Sequence, residues 1–430
     1  MEKIWTSILT DANTQWVLLG TLLLGVASGV LGSFALLRKQ SLIGDAVAHA
    51  ALPGICLAFL FMGEKHMLGL LVGAALTGLL ASYSIQFISG HSRLKEDTAI
   101  GLVLSVFFGL GIVLLTKVIQ SSSGNKSGLD DFIFGQAASM IAKDVQLMAG
   151  TAVVLIIVTF FLFKEFKVST FDPQFAQGIG LPVGFLNFLF STLLVITVVI
   201  GIQAVGVILM SAMLIIPAIS ARYWTDSLGW MVIISGTVGA ISGVIGTLIS
   251  TLGRSLATGP FIVLTSTTIF LVSILFAPKR GLLAKWWRRK INDWQLAAAK
   301  VLMILLEQNK PLPFTKLSEH VRTASWELYF VLKKLERHGW IETKNEAYQL
   351  TDEGKAKGEQ WQTIERLRVF AEMYPQTLSV KESQLLDQAT IETVNEQAVR
   401  QMEKKFRQKE AFPYVTKYAY YSKGEGSYEL

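Results

Sequence analysis

Apolar residues fill the first two thirds of this chain in long runs broken by short polar stretches, and the last third carries them at helical spacing among charges. A helix needs about 20 mostly apolar residues to cross a bilayer core. About nine such runs lie near 16–37, 42–62, 67–88, 98–118, 136–163, 184–203, 205–221, 229–251 and 258–277. Backbone groups in lipid must be satisfied within the segment or in a closed barrel. Because these runs do not alternate, they predict helices and exclude a barrel. The 205–221 run is the shortest and holds Pro217, so the span count is eight or nine.

The last third changes character. An apolar-periodic helix is expected at 293–308, then Pro311 and Pro313, then TKLSEHV and TASWELYFVLKKLERHG. A strand over 340–343, a turn at Lys344 and Asn345, a second strand over 347–350 and a helix capped by Thr351 should follow. That order reads as a winged helix-turn-helix. The tail from Tyr374 reads as helical to about Gln408. The fold class is therefore an all-α polytopic membrane protein, domain 1–284, with a C-terminal winged helix-turn-helix-like soluble domain, 285–430.

Charge supports the division. Residues 1–284 hold 15 Lys/Arg and 12 Asp/Glu, and residues 285–430 hold 24 and 20. The net charge of +7 splits about evenly, so neither part has the basic bias of a dedicated nucleic-acid binder. The single cysteine, Cys56, excludes an internal disulfide and a cysteine-rich zinc site. A polar start with no small-residue cleavage site argues against a removable signal peptide. Arg38/Lys39, Arg93/Lys95, Lys164/Lys167, Arg222 and Lys279/Arg280 fall on alternate loops. By the positive-inside rule these are cytoplasmic, the N-terminus is outside and the C-terminal domain is inside. The cluster from Lys285 to Lys290, with Trp286 and Trp287, marks the membrane interface.

An ionisable residue in a membrane span is costly and is a functional hypothesis by default. In SLIGDAVAHAALPGI at 41–55, Asp45 and His49 are four apart, which stacks a carboxylate and an imidazole on one helix face. Such ligands suit manganese, iron or zinc. The competing structural reading is a buried pair joined by a hydrogen bond. Pro53 and Gly54 follow one turn later, where they are expected to break or bend the helix and open a cavity. Cys56 is on roughly the same face and reads as a buried core thiol. His66, beside Glu64 in an outer loop, is a weaker candidate, as are His91, His320 and His338. In the loop 164–182, Asp172 can cap a short helix that starts at Pro173 and stops at Gly178 or Gly180.

Together with LKEDTAIG at 94, DDFIFGQ at 130, FDPQFAQGIGLP at 171, QAVGVILMSAMLIIPAISAR at 203 and FAPKRGLL at 276, the 41–55 motif makes the first 284 residues resemble the metal-type permeases of ABC importers. The resemblance implies that Asp45 and His49 coordinate the transported metal. It also implies that residues 172–180, with Asp172, Pro173, Gln174, Ala176 and Gly180, form a coupling helix seated on the ATPase subunit. Gln174 stands where members often have an acidic residue. The implied cargo is a divalent ion, manganese first, with zinc or iron as alternatives, and no permanently bound cofactor. The implied partners are an ATP-binding subunit, an extracellular metal-binding protein and a second permease copy or related permease. No phosphate-binding G-x-x-x-x-G-K-[ST] loop occurs, so ATP hydrolysis is expected on a separate subunit and this chain is not expected to be an enzyme.

Residues 294–355 resemble the winged-helix domain of the diphtheria-toxin-repressor family, through TKLSEHV, VLKKLERHGWI and AYQLTDEG. Trp326 and Glu327 open the presumed recognition helix where base- or phosphate-contacting residues are expected, which leaves DNA binding open against regulation or subunit contact. Two rival functions remain: a secondary metal carrier, and a membrane-anchored metal-responsive transcription regulator.

Overall fold

The computed structural model describes residues 12–62, 67–120, 142–251, 257–321 and 324–373, with scattered positions between 376 and 405. The chain divides into two compact units, Met1–Lys285 and Trp286–Leu430.

Among its described residues, every regular element of the first unit is a helix. Its helices are α1 (Ala12–Leu37), α2 (Ile43–Met62), α3 (Met67–His91), α4 (Glu96–Gln120), α5 (Ala142–Phe161), α6 (Phe163–Phe171), α7 (Pro173–Gly178), α8 (Val183–Val205), α9 (Val207–Trp224), α10 (Leu228–Thr251) and α11 (Thr258–Phe276). Among the described residues, eight of these are long and apolar enough to cross a membrane, and the apolar part of α9, Leu209–Trp224, is shorter. A single residue, Gly206, joins α8 to α9 at φ +93°, a conformation open to glycine at little cost.

Two sequence expectations need correction here. Residues 164–171 are helical as α6 rather than loop, because Phe166 and Ser169 supply a buried face on one turn of KEFKVSTF. Pro53 and Gly54 do not break α2, which runs unbroken from Ile43 to Met62 with both residues buried. Proline forfeits one intrahelical bond, yet membrane helices tolerate it when neighbours pack closely around it. Here α3 does so: a Cβ added to Gly54 would meet the carbonyl oxygen of Gly73 at 2.2 Å.

Apolar side chains gain little by associating in lipid, so membrane helices hold together through small residues and polar contacts. The α1–α10 seam is built that way. A Cβ at Gly25 would fall 2.2 Å from the Gly239 carbonyl oxygen, so only glycine allows the two backbones to meet. Ser235 Oγ donates to the Gly29 carbonyl at 2.7 Å, and Thr21 and Thr247 hydroxyls pair at 3.1 Å. At one end of the bundle Phe34, Phe166 and Phe190 meet edge to face, with centroids 5.8 to 6.4 Å apart.

The second unit contains α12 (Leu282–Gln308, counted from Trp286), β1 (Leu312–Pro313), α13 (Phe314–Val321), α14 (Ser325–Arg337), β2 (Ile341–Lys344), β3 (Ala347–Leu350) and α15 (Asp352–Met373). The helix expected from 293 thus starts at Leu282 and takes in the tryptophan and basic cluster. The sheet order is β1-β3-β2, antiparallel, with Ile341 opposite Leu350 and Lys344 opposite Ala347. The hairpin turn lies at Asn345 and Glu346, one residue later than expected, because both adopt positive φ as a tight two-residue hairpin turn requires. Trp340 is withdrawn from the strand by the end of α14: its N–H donates to the Leu335 carbonyl beyond Gly339, which sits at φ +73°. Leu302, Leu317, Leu328, Leu335, Trp361 and Leu367 form the core of this unit. Most of the tail expected to be helical from Tyr374 lies outside the described residues.

Candidate functional site

Asp45 and His49 occupy the first two turns of α2, and a carboxylate in a first turn is favoured by the free backbone N–H groups there. His49 Nε2 lies 3.6 Å from Asp45 Oδ1, and the two side chains are 20% and 34% exposed. That distance exceeds a hydrogen bond. The two groups stand within ion-pair distance on one face of α2 without a hydrogen bond between them. His49 Nδ1 is buried and has no hydrogen-bond partner among the described residues. The imidazole ring instead packs edge-on to Phe108 of α4, centroids 5.0 Å apart.

A metal bound at about 2.1 Å by two ligands in tetrahedral arrangement separates their donor atoms by about 3.4 Å. The Asp45 and His49 donors are within a few tenths of an ångström of that spacing. Such an ion takes four or more ligands, and two are supplied here. Among the described residues, no group of three or more His, Cys, Asp or Glu could hold a metal ion. If this pair holds an ion, its remaining ligands would come from water, backbone or another chain. Pro53 can give no N–H to the His49 carbonyl, which leaves that oxygen without its usual helical donor. Cys56 is fully buried in the main core.

The other histidines fall elsewhere. His91 stacks on Phe87 at the end of α3, while His320 and His338 each turn Nδ1 to a carbonyl of their own helix in the second unit. His66 and Glu64, and the stretch DDFIFGQ at 130, lie outside the described residues.

A second feature is α7. Asp172 Oδ1 accepts from Phe175 N–H at 2.8 Å, Pro173 occupies the first helical position, and the chain leaves through Gly180 at φ +86°. Ala176 is fully buried and anchors the short helix, while Gln174, Phe175 and Ile179 are exposed. Sequence reasoning missed Arg38, which sits beside this segment: its Nε donates to Thr170 Oγ1 and its Nη1 to Asn187 Oδ1, both at 3.0 Å. The only signal was its place in the turn before the motif.

The model of the family described as "ABC 3 transport family" matches residues 10–277, well over half of the chain. The chain belongs to that family. Its relatives include the manganese transport system membrane protein MntC of Bacillus subtilis (strain 168), 51% identical over 362 residues, 83% of each chain. An alignment of that length runs past the 285 residues of the first unit, so this ABC 3 family member shares part of its second unit with that relative. The zinc transport system membrane protein TroC of Treponema pallidum (strain Nichols) is 46% identical over 283 residues, 66% of this chain and 95% of its own. The solved PsaBC from Streptococcus pneumoniae, in complex with Fab, superposes with a TM-score of 0.58 at 34% identity over 67% of this chain and 99% of that one. The ABC 3 fold thus accounts for the multi-span first unit, and the chain is a membrane permease.

Proposed function

We propose that this chain is the permease subunit of an ATP-driven importer for a divalent transition metal, manganese first and zinc or iron as alternatives. The observation that carries the reading is the Asp45–His49 pair, spaced for one ion, with a buried imidazole nitrogen that no described residue satisfies. Family membership and the manganese and zinc relatives support it.

Because one chain offers two ligands, two copies, or this chain and a related permease, bring their α2 helices together about a central pathway. An extracellular binding protein releases the ion to this site. The helix α7 seats on a separate ATP-binding subunit, through its exposed Gln174, Phe175 and Ile179, and hydrolysis there rocks the spans. The N-terminus is outside and the second unit cytoplasmic; the meeting of Arg222, Lys279 and Arg280 on Asp226 supports placing those basic loops on one side. The second unit is a winged-helix-like module for regulation or subunit contact. The exposed Trp326, Tyr329 and Phe330 on α14 argue against a phosphate- and base-reading face there.

The test is uptake of radioactive manganese and zinc by cells expressing the whole importer, wild type against His49→Ala and Asp45→Ala. Loss of uptake in both variants with the assembly intact is expected; wild-type uptake in both overturns the assignment. A secondary carrier would instead transport without any co-purifying ATP-binding subunit.

A further inference from the structure

We propose that Arg38 is a positioning residue that ties the displacement of α7 to the metal-site helix α2. The inference rests on reading α7 as the contact with the ATP-binding subunit.

Arg38 opens the five-residue turn between α1 and α2, held by its own N–H to the Phe34 carbonyl and followed by Lys39 at φ +61°. Its guanidinium reaches both helices that flank α7. Thr170, which accepts from Nε, is in the last turn of α6, two residues before the Asp172 cap; Asn187, which accepts from Nη1, is in the second turn of α8, just after α7. The same group lies 4.3 Å above the Phe190 ring of α8. A displacement of α7 carries Thr170 and Asn187 with it, and both pull on one side chain.

The other end of the turn leads to the ion. Gln40 Nε2 donates to Glu96 Oε1 at 3.0 Å, and Glu96 is the first residue of α4. Gln40 also accepts the N–H of Ile43, where α2 begins. So the turn that bears Arg38 fixes the starts of both α2, which carries Asp45 and His49, and α4, which carries the Phe108 ring against His49. Hydrogen bonds and short backbone connections thus link the helices flanking α7 to the start of the helix that bears Asp45 and His49.

A purely structural role explains these contacts poorly. Two of the three guanidinium nitrogens find neutral acceptors, and among the described residues no carboxylate pairs with the group and the buried Nη2 has no partner. Burying part of a charge on those terms costs free energy that an apolar side chain would avoid. Beside it lies a polar cavity of about 270 Å³ shared with Gln86, Ser89, Glu96 and Ser191. That space lets the guanidinium exchange partners as α6 and α8 shift, with the Glu96 carboxylate on the cavity wall as the second acceptor. Coupling of this kind needs an element with two discrete arrangements, and the fork of arginine, unlike a lysine point charge, can hold two helices at once.

The test uses the complete importer in proteoliposomes and reads metal moved per ATP hydrolysed. Arg38→Lys and Thr170→Val should lower that ratio by about fivefold or more, the low end of coupling between linked sites, while metal affinity and ATPase-subunit binding stay at wild type. Thr170→Ser, which keeps the hydroxyl, should keep the ratio. Wild-type ratios in both Arg38→Lys and Thr170→Val overturn the proposal. Phe175→Glu on the exposed face of α7 separates the two claims: it should weaken ATPase-subunit binding, and if binding is unchanged the docking reading itself fails.

Discussion

Replacing His49 with alanine removes an imidazole whose contributions to stability oppose one another, so the fold should lose little. The edge-on contact with Phe108 is lost, which costs about 0.5–1.5 kcal/mol. The buried Nδ1, which no described residue satisfies, is lost with it, which returns about 1–3 kcal/mol of unmet desolvation. The site is 20% exposed, so little cavity remains to add to the cost. On these terms the net change runs from about 0.5 kcal/mol destabilising to about 2.5 kcal/mol stabilising, against the loss of about 2–5 kcal/mol typical of truncating a large core side chain. Metal affinity should behave differently. Losing a residue that merely supports a ligand costs about 10–100-fold, and losing a ligand should cost more. The assay is thermal unfolding of the purified chain in detergent with and without manganese. Wild type should gain stability with metal, since a ligand that binds only the native state raises the transition. The variant should melt no more than slightly below metal-free wild type and gain nothing with metal. A variant that melts far lower without metal, or that keeps the full metal-dependent gain, refutes the reasoning.

Gly239→Val should force a branched side chain against the Gly25 backbone and destabilise the α1–α10 seam by about 1–3 kcal/mol, read as a lower melting temperature in detergent; an unchanged melt would show the helices can separate freely. In the second unit a Cβ at Gly354 would meet the Trp340 carbonyl at 1.8 Å, so Gly354→Ala should expose the α15 start to limited proteolysis of the full chain, whereas wild-type protection would contradict the contact. The Glu382 carboxyl is held down to about 2 by Lys405 and by hydrogen bonds from Ser379. Its folded value lies below the ordinary one, so its stabilisation is present above about pH 4.5 and is lost as pH falls from there toward 2. Hydrogen exchange around Ser379 should therefore quicken over that window in wild type and show no such step in Glu382→Gln.

Much of this protein follows from sequence, because lipid leaves the backbone few options. A long apolar run must form a helix to satisfy its own N–H and C=O groups, so length and hydropathy alone mark the spans. Spacing is equally local: four residues place Asp45 and His49 on one face of α2, and Asp172–Pro173 marks the start of α7 before any neighbour is known. What sequence could not decide is how the spans meet. Every spanning helix is apolar on most sides, so periodicity does not say which face turns inward, and the meeting of Gly25 with Gly239 or of Gly54 with Gly73 exists only in the assembled bundle. The same reason hid the meaning of Pro53, which reads as a break until α3 is seen to close over Gly54. Phe108 is 59 positions from His49 and Thr170 is 132 from Arg38, so neither contact has a local signature. Local chemistry fixed the helices and the Asp45–His49 pair; tertiary structure alone decided that Nδ1 is buried without a partner among the described residues and that one arginine grips both sides of α7, because burial and long-range contact are properties of packed surfaces rather than of spacing along a chain.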